Sequence, residues 1–169
     1  MSQYTLIQLS KTSVVDEFDC GDNDLNDFLK SDALINQDAW FSATQLLCKN
    51  NRIVGFFTIT ADTIHKERLA ESDQVKGYPY AKYPGIKLAR LAVDTKYQHQ
   101  GIGTELMMYF FKTARDIVQK EGGRFITVDA KNTAAGFYES FGFIKVTSQK
   151  SSEFISMYID FYKLSRIAE

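Results

Sequence analysis

Apolar and polar positions along the 169-residue chain fall into alternating, continuous and helically spaced stretches. Residues 4–9 (YTLIQL) read as a short opening strand. Asp22 or Asn23 can cap a helix running to about Asn36, with Leu25, Phe28, Leu29 and Ala33 on one face. Two strand-like runs, 44–49 and 52–60, flank Asn50-Asn51. Asparagine tolerates positive φ, so this pair suits a tight hairpin turn. Residues 61–84 read as a long polar loop holding both prolines, Pro79 and Pro84. A strand over 86–93 follows. Ile102, Leu106, Phe110, Ala114, Ile117 and Val118 then form one stripe of a helix to Lys120, ended by Gly122-Gly123. A strand over 124–128, a short helix over 133–140, and two closing strands over 143–147 and 153–162 complete the order, the last two pairing antiparallel. The alternation predicts an α/β (α+β) fold: a mixed, mostly antiparallel sheet of about six to seven strands flanked by helices. The length is that of one domain, 1–169.

Composition narrows the classes. Hydrophobic residues make up 44% and aromatics 14%, which excludes a disordered chain. The net charge of −1 gives no global sign of a nucleic-acid or membrane binder. The apolar runs are far shorter than the ~20 residues of a membrane span. The opening MSQYTLIQLSK has no basic stretch before an apolar block, so no secretory leader is expected. Cys20 and Cys48 read as free thiols of a cytoplasmic protein, and two Cys with two distant His make no metal tetrad. Charge is uneven, however. Residues 1–65 carry four basic and nine acidic side chains, whereas 66–96 carry seven basic and four acidic.

The strongest chemical signal is Leu88-Ala-Arg-Leu-Ala-Val-Asp94 followed by Tyr97-Gln-His-Gln-Gly-Ile-Gly-Thr104. A buried strand runs into a polar turn, then glycines, then a long amphipathic helix. The first helical turn has unpaired N–H groups and the positive end of the dipole. Gly101 and Gly103 let an anion approach that backbone, which is chemistry for a pyrophosphate. No Gly-Lys-Ser/Thr follows, so this is not a Walker loop, and the spacing is not that of a dinucleotide fingerprint.

Gln98-His99-Gln100-Gly101-Ile102-Gly103 matches the Gln/Arg-x-x-Gly-x-Gly/Ala signature of acetyl-coenzyme A binding, and the segment resembles the GNAT acetyltransferase superfamily. Leu91-Ala92-Val93 before it and Phe137-Tyr138…Gly142-Phe143 after it match the superfamily in order and spacing. The resemblance implies the GNAT acyl-CoA N-acyltransferase fold and acetyl-coenzyme A as co-substrate. It implies that backbone amides from Gln98 through His99, Gln100, Gly101, Ile102 and Gly103 to Thr104 wrap the diphosphate. Leu91, Ala92 and Val93 would pair with the pantetheine arm, and the Val93 N–H would face the thioester oxygen. Tyr138 would return a proton to the departing thiolate. Members often place an Asn seven residues before that tyrosine. Here Lys131 stands there and Asn132 lies six before, so Asn132 is either the pantetheine contact or a helix cap. No general base stands out. His99 reads as a backbone-position residue of the turn and His65 as a solvated loop residue.

A narrower resemblance is to the GNAT toxins of toxin–antitoxin pairs. It rests on Phe18-Asp-Cys-Gly-Asp-Asn-Asp-Leu-Asn-Asp-Phe-Leu29, Val54 to Ile59, Tyr83-Pro84 with Leu88 to Asp94, and Val128-Asp129-Ala130. It implies acetyl transfer to the α-amine of aminoacyl-tRNA, an amine that needs no strong base because its pKa is ~7.7–8. Lys66, Arg68, Lys82, Lys87 and Arg90 are then candidates for RNA phosphates. A small antitoxin protein would be the partner. A homodimer would have Trp40, Phe41 or the closing strands as contact, unless those two aromatics are ordinary core. Other readings are a housekeeping acetyltransferase for a small amine or a protein amine, and a GNAT-like binding module without turnover.

Overall fold

Strand alternation places the two faces of the sheet, and the helices cover what that alternation leaves apolar. The structure is a computed structural model and describes residues 3–148 and 153–167. Its strands are β1 (Thr5–Gln8), β2 (Ala43–Lys49), β3 (Arg52–His65), β4 (Lys82–Val93), β5 (Phe125–Lys131), β6 (Ile144–Lys145) and β7 (Phe154–Asp160). They form a seven-stranded sheet in the order β1-β2-β3-β4-β5-β7-β6. The β1/β2, β2/β3, β5/β7 and β6/β7 pairs are antiparallel, so the mixed, mostly antiparallel sheet expected from the sequence is present. The helices are α1 (Asn23–Asp27), α2 (Ala33–Asp38), α3 (Ile102–Glu121), α4 (Ala135–Glu139) and α5 (Phe161–Ile167). Among the described residues no helix is long and apolar enough to cross a membrane. The chain divides into two compact units, Met1–Thr60 with Leu88–Asp116, and Ala61–Lys87 with Ile117–Glu169.

In the first unit the Asp22 carboxylate caps α1 by accepting from the Asp24 and Leu25 amides. A wider π turn over Phe28–Asp32 joins α1 to α2. Phe18, Phe28, Leu29, Ala33, Leu46, Phe56 and Ala92 share one core cluster. Phe56 meets Phe18 edge-on at 5.4 Å, and the next residue, Phe57, meets Phe110 of α3 at 5.8 Å. Consecutive strand residues thus serve opposite faces. Gly55 is required there, because a Cβ would lie 2.9 Å from the Ala92 carbonyl oxygen. Asn50 and Asn51 have φ of 50° and 61°, the left-handed pair a two-residue hairpin turn demands.

In the second unit Phe125, Tyr158 and Tyr83 form the aromatic centre of a separate cluster with Ile64, Leu69 and Val146. Arg124 donates to the buried Asp160 at 2.9 Å. Gly122 and Gly123, with φ of 82° and 120°, end α3 as expected.

Four expectations are corrected. The polar loop does not span 61–84: β3 runs on to His65 and β4 begins at Lys82. Between them lie two single 3-10 turns, Lys66–Arg68 and Glu71–Asp73. His65 is therefore an exposed strand residue, not a loop residue. The last strand stops at Asp160, and Phe161–Ile167 turns into α5. Trp40 and Phe41 are not core: they are 93% and 73% exposed. They end α2, where Trp40 donates to Gln37 O and Phe41 to Asn36 O, with Trp40 at φ 61° in a position that favours glycine. Replacing Trp40 with glycine relieves a left-handed strain of ~1–2 kcal/mol, part of which the greater freedom of unfolded glycine offsets. Urea unfolding of Trp40→Gly should therefore show a gain of about 0.5–1 kcal/mol.

Candidate active site: a turn of open amides and a buried tyrosine

The first unit builds its site around Asp94, which is only 5% exposed. Its Oδ1 accepts from the Lys96 amide at 2.9 Å, and its Oδ2 from the Asp19 amide at 3.1 Å. The Thr95 amide donates to Asp19 O at 2.8 Å. Asp19 Oδ1 accepts from the Gly21 amide at 2.9 Å and from Asn26 Nδ2 at 2.8 Å. Those two donors, the Gly21 amide foremost, hold the Asp19 carboxyl below the usual aspartate value. Asn26 returns its Oδ1 to the Cys20 amide at 2.9 Å. Gln98 closes the network: its Nε2 donates to Cys20 O and to Val93 O, both at 2.9 Å. The segment 19–26 and the end of β4 are thereby fastened to one turn.

Beyond Gln98 the backbone curls through left-handed φ values at His99 (58°) and Gly101 (82°). Gln100 Nε2 bonds back to Lys96 O at 2.9 Å. Neither glutamine side chain extends over the turn. A Cβ built on Gly101 would meet nothing within 4 Å, so the backbone there faces open space. The Glu105 amide donates to Gly101 O at 3.1 Å and starts the ladder of α3. The amides of Ile102, Gly103 and Thr104 precede that bond and have no partner within the helix. Open amides at the positive end of a 20-residue helix can receive a diphosphate. Ala92 is buried and Leu91 and Val93 are half-buried on the strand leading in.

In the second unit Tyr138 lies on α4 and is 7% exposed. Phe137 and Phe143 pack edge-on against its ring, at 5.2 and 5.7 Å. Burial pushes its phenol up to about 12. Among the described residues no hydrogen bond holds the hydroxyl. Asn132 is exposed and opens a 3-10 turn, Asn132–Ala134, in which no side chain caps the amides. The helix-cap alternative for it therefore falls. Lys66 and Lys82 are exposed, and Arg68 is half-buried. Lys87 is not a free cation, because Asp129 pairs with it and also accepts from Ser156 at 2.7 Å. In the first unit, Arg90 lies 4.8 Å over the Phe28 ring and donates to Ala89 O at 2.7 Å. Cys20 and Cys48 are both free, and burial raises both thiols.

Comparison with known proteins decides the family. The family described as Acetyltransferase (GNAT) domain matches residues 28–159. The chain belongs to it. This GNAT chain is 30% identical over 140 residues to a tRNA-acetylating toxin of Mycobacterium tuberculosis (strain ATCC 25618 / H37Rv), covering 80% of this chain and 81% of that protein. Among solved structures, AtaTR bound with AcCoA is 25% identical with a TM-score of 0.81 and full coverage of both chains. AtaT complexed with acetyl-methionyl-tRNAfMet has a TM-score of 0.88 at 23% identity, covering 98% of this chain and 99% of that one. The chain is thus a GNAT protein closely related to the tRNA-acetylating toxins.

Asp19, Asn26 and Asp94 escaped the sequence reading as organisers of this GNAT site. Their signal was the density of Asp, Asn and Gly in 19–26, which reads locally as a helix start. Truncating Gln98 leaves two carbonyls without their donor. Gln98→Ala should lower the unfolding free energy by about 1–3 kcal/mol, measured by urea denaturation.

Proposed function

We propose that residues 1–169 act as one acetyl-coenzyme A dependent N-acetyltransferase domain whose acceptor is the α-amine of aminoacyl-tRNA. The observation that carries the donor side is the open backbone at Gly101, beside which the Gln98 and Gln100 side chains bond back to Val93 O and Lys96 O. The relationship to a tRNA-acetylating toxin supports the acceptor. The coenzyme, when bound, supplies an acetyl thioester. The amides from Gln98 to Thr104 hold its diphosphate, and the Leu91–Ala92–Val93 backbone, with Asn132, holds the pantetheine arm. The Val93 N–H serves the thioester oxygen as a donor to the developing oxyanion. Tyr138 keeps its proton because apolar packing disfavours the phenolate, and it delivers that proton to the leaving thiolate. Lys66, Arg68, Lys82 and Arg90 are assigned to RNA phosphates, and Lys87 to positioning Asp129. The reading places the protein in the cytoplasm, restrained by a small antitoxin and paired with a second copy through Trp40 and Phe41.

Tyr138→Phe should lower kcat by roughly 10²-fold or more while leaving acetyl-coenzyme A affinity at the wild-type value, measured by calorimetry beside turnover. Expression should arrest growth and accumulate N-acetylated aminoacyl-tRNA, and Tyr138→Phe should relieve both. Free growth, with acetylation of a small-amine panel instead, would overturn the acceptor assignment.

The pH profile follows from the two groups. The acceptor attacks as a neutral amine, so kcat/KM should rise through pH ~8. Tyr138 holds its proton until about 12, so it imposes no alkaline decline below about pH 11. A phenol-dependent fall near pH 9, absent in Tyr138→Phe, would contradict its buried state.

A further inference from the structure

The stretch that leads into β4 and includes its first residue reads Lys76-Gly-Tyr-Pro-Tyr-Ala-Lys82, and every residue in it is exposed. Tyr78 is 37% and Tyr80 66% exposed. They form the outer end of a file of rings. Tyr80 meets Tyr78 at 5.5 Å, Tyr78 meets Tyr83 at 4.9 Å, and Tyr83 stacks on the buried Phe125 at 5.5 Å and 13°.

The base of this loop is tied at many points. The Val75 amide donates to the Tyr83 hydroxyl at 3.1 Å, and the Ala70 amide to the Tyr158 hydroxyl at 2.9 Å. That hydroxyl donates in turn to Asp73 at 2.7 Å, which Lys163 also holds. The Lys66 amide donates to Ala81 O at 2.9 Å and brings the two ends of the loop together. Two rings are therefore displayed in water on an anchored support. A tyrosine ring held in place this way has little rotamer freedom left to lose on binding.

Charge indicates the ligand. No Asp or Glu occurs from Gln74 to Val93. Lys76 and Lys82 flank the two tyrosines in sequence, and the Lys66 backbone bonds to Ala81 beside Tyr80. All three are exposed, and among the described residues no ion pair to a carboxylate is found for any of them. Exposed aromatic faces among unpaired lysines match unstacked bases on a phosphate backbone. Base-paired RNA keeps its bases stacked within the helix and offers no free face to such rings.

We propose that Tyr78 and Tyr80, flanked by Lys66, Lys76 and Lys82, form a stacking platform for the unpaired 3′ end of an RNA acceptor. This rests on the aminoacyl-tRNA reading above and names the part of the acceptor that the loop grips.

The test is a cycle of binding measurements, read by fluorescence anisotropy without acetyl transfer. The probes are a fluorescein-labelled deacylated tRNA and the same tRNA with its unpaired 3′ nucleotides removed. Tyr80→Ala should weaken binding of the intact tRNA roughly 5- to 150-fold, as losing a stacked base does. Removing the 3′ nucleotides should weaken the wild type comparably and leave Tyr80→Ala almost unchanged. Tyr80→Phe should restore binding, since it keeps the ring. Lys76→Ala and Lys82→Ala should each reduce the slope of log K against log salt by about one, which Tyr80→Ala should not. Tyr80→Ala should unfold at the wild-type temperature, because the ring is exposed.

Equal affinity of Tyr80→Ala and wild type for the intact tRNA would overturn the platform. So would independent, multiplicative losses from the substitution and the trimming, or failure of the wild type to bind either RNA. A loss of self-association in Tyr80→Ala with unchanged RNA affinity would assign the rings to a protein contact and overturn it too. The acceptor reading fails separately, on absence of acetylated aminoacyl-tRNA with the wild-type enzyme.

Discussion

A buried carboxylate at Asp94 accepts hydrogen bonds from backbone amides at Lys96 and Asp19, two segments far apart in sequence. Hydrogen bonds to a charged acceptor contribute about 1.5–3 kcal/mol, and an unpaired carboxylate in that position would be costly. Once both amides are fixed, the end of β4, the 3-10 turn Thr95–Tyr97 and the segment 19–26 have one mutual arrangement. Gln98 then bonds two carbonyls of that frame. The curl through His99 and Gly101 is therefore secured by side chains on either side, and at Gly101 it borders open space.

This arrangement separates holding from binding. Side chains hold the turn, and the backbone at Gly101 faces open space, where the proposed function puts the anion. Under the proposed function, a protein with a net charge of −1 cradles a diphosphate on backbone dipoles, without a basic cluster. Tyr138 follows a related logic. Aromatic edges pack against its ring, and burial raises the phenol pKa, so the hydroxyl stays protonated at neutral pH. In the second unit Lys66, Lys76 and Lys82 are exposed, two of them flanking the Tyr78–Tyr80 segment in sequence.

Much of the sheet was legible because burial imposes a period. Phe56 and Phe57 differ by one residue and serve opposite faces, and the helical stripe from Ile102 to Ala114 is buried as its spacing implied. The missed parts have physical reasons. The far end of β3 alternates the buried Ile64 with exposed Thr63 and His65, so at half-burial it looks like a polar loop. Pro84 resembles a breaker, yet it sits at an exposed strand position, alternating with the buried Tyr83 and Gly85. Trp40 and Phe41 look like core by composition. The end of α2 instead sends the chain through a left-handed residue and leaves both rings in solvent.

By itself the amino-acid sequence determined what depends on near neighbours: the Asn50-Asn51 turn, the glycine stop after α3, a cap at Asp22 or Asn23, and the Gln-x-x-Gly-x-Gly spacing at a helix start. These follow from local sterics and from hydrogen bonds a few residues long. Tertiary structure alone decided that Asp19 and Asn26 brace the turn, that Lys87 is neutralised by Asp129, and that Tyr78, set against Tyr83, and Tyr80, set against Tyr78, stay exposed. Each of those depends on which distant group arrives to share a donor, a charge or a ring face, and no local pattern encodes that arrival.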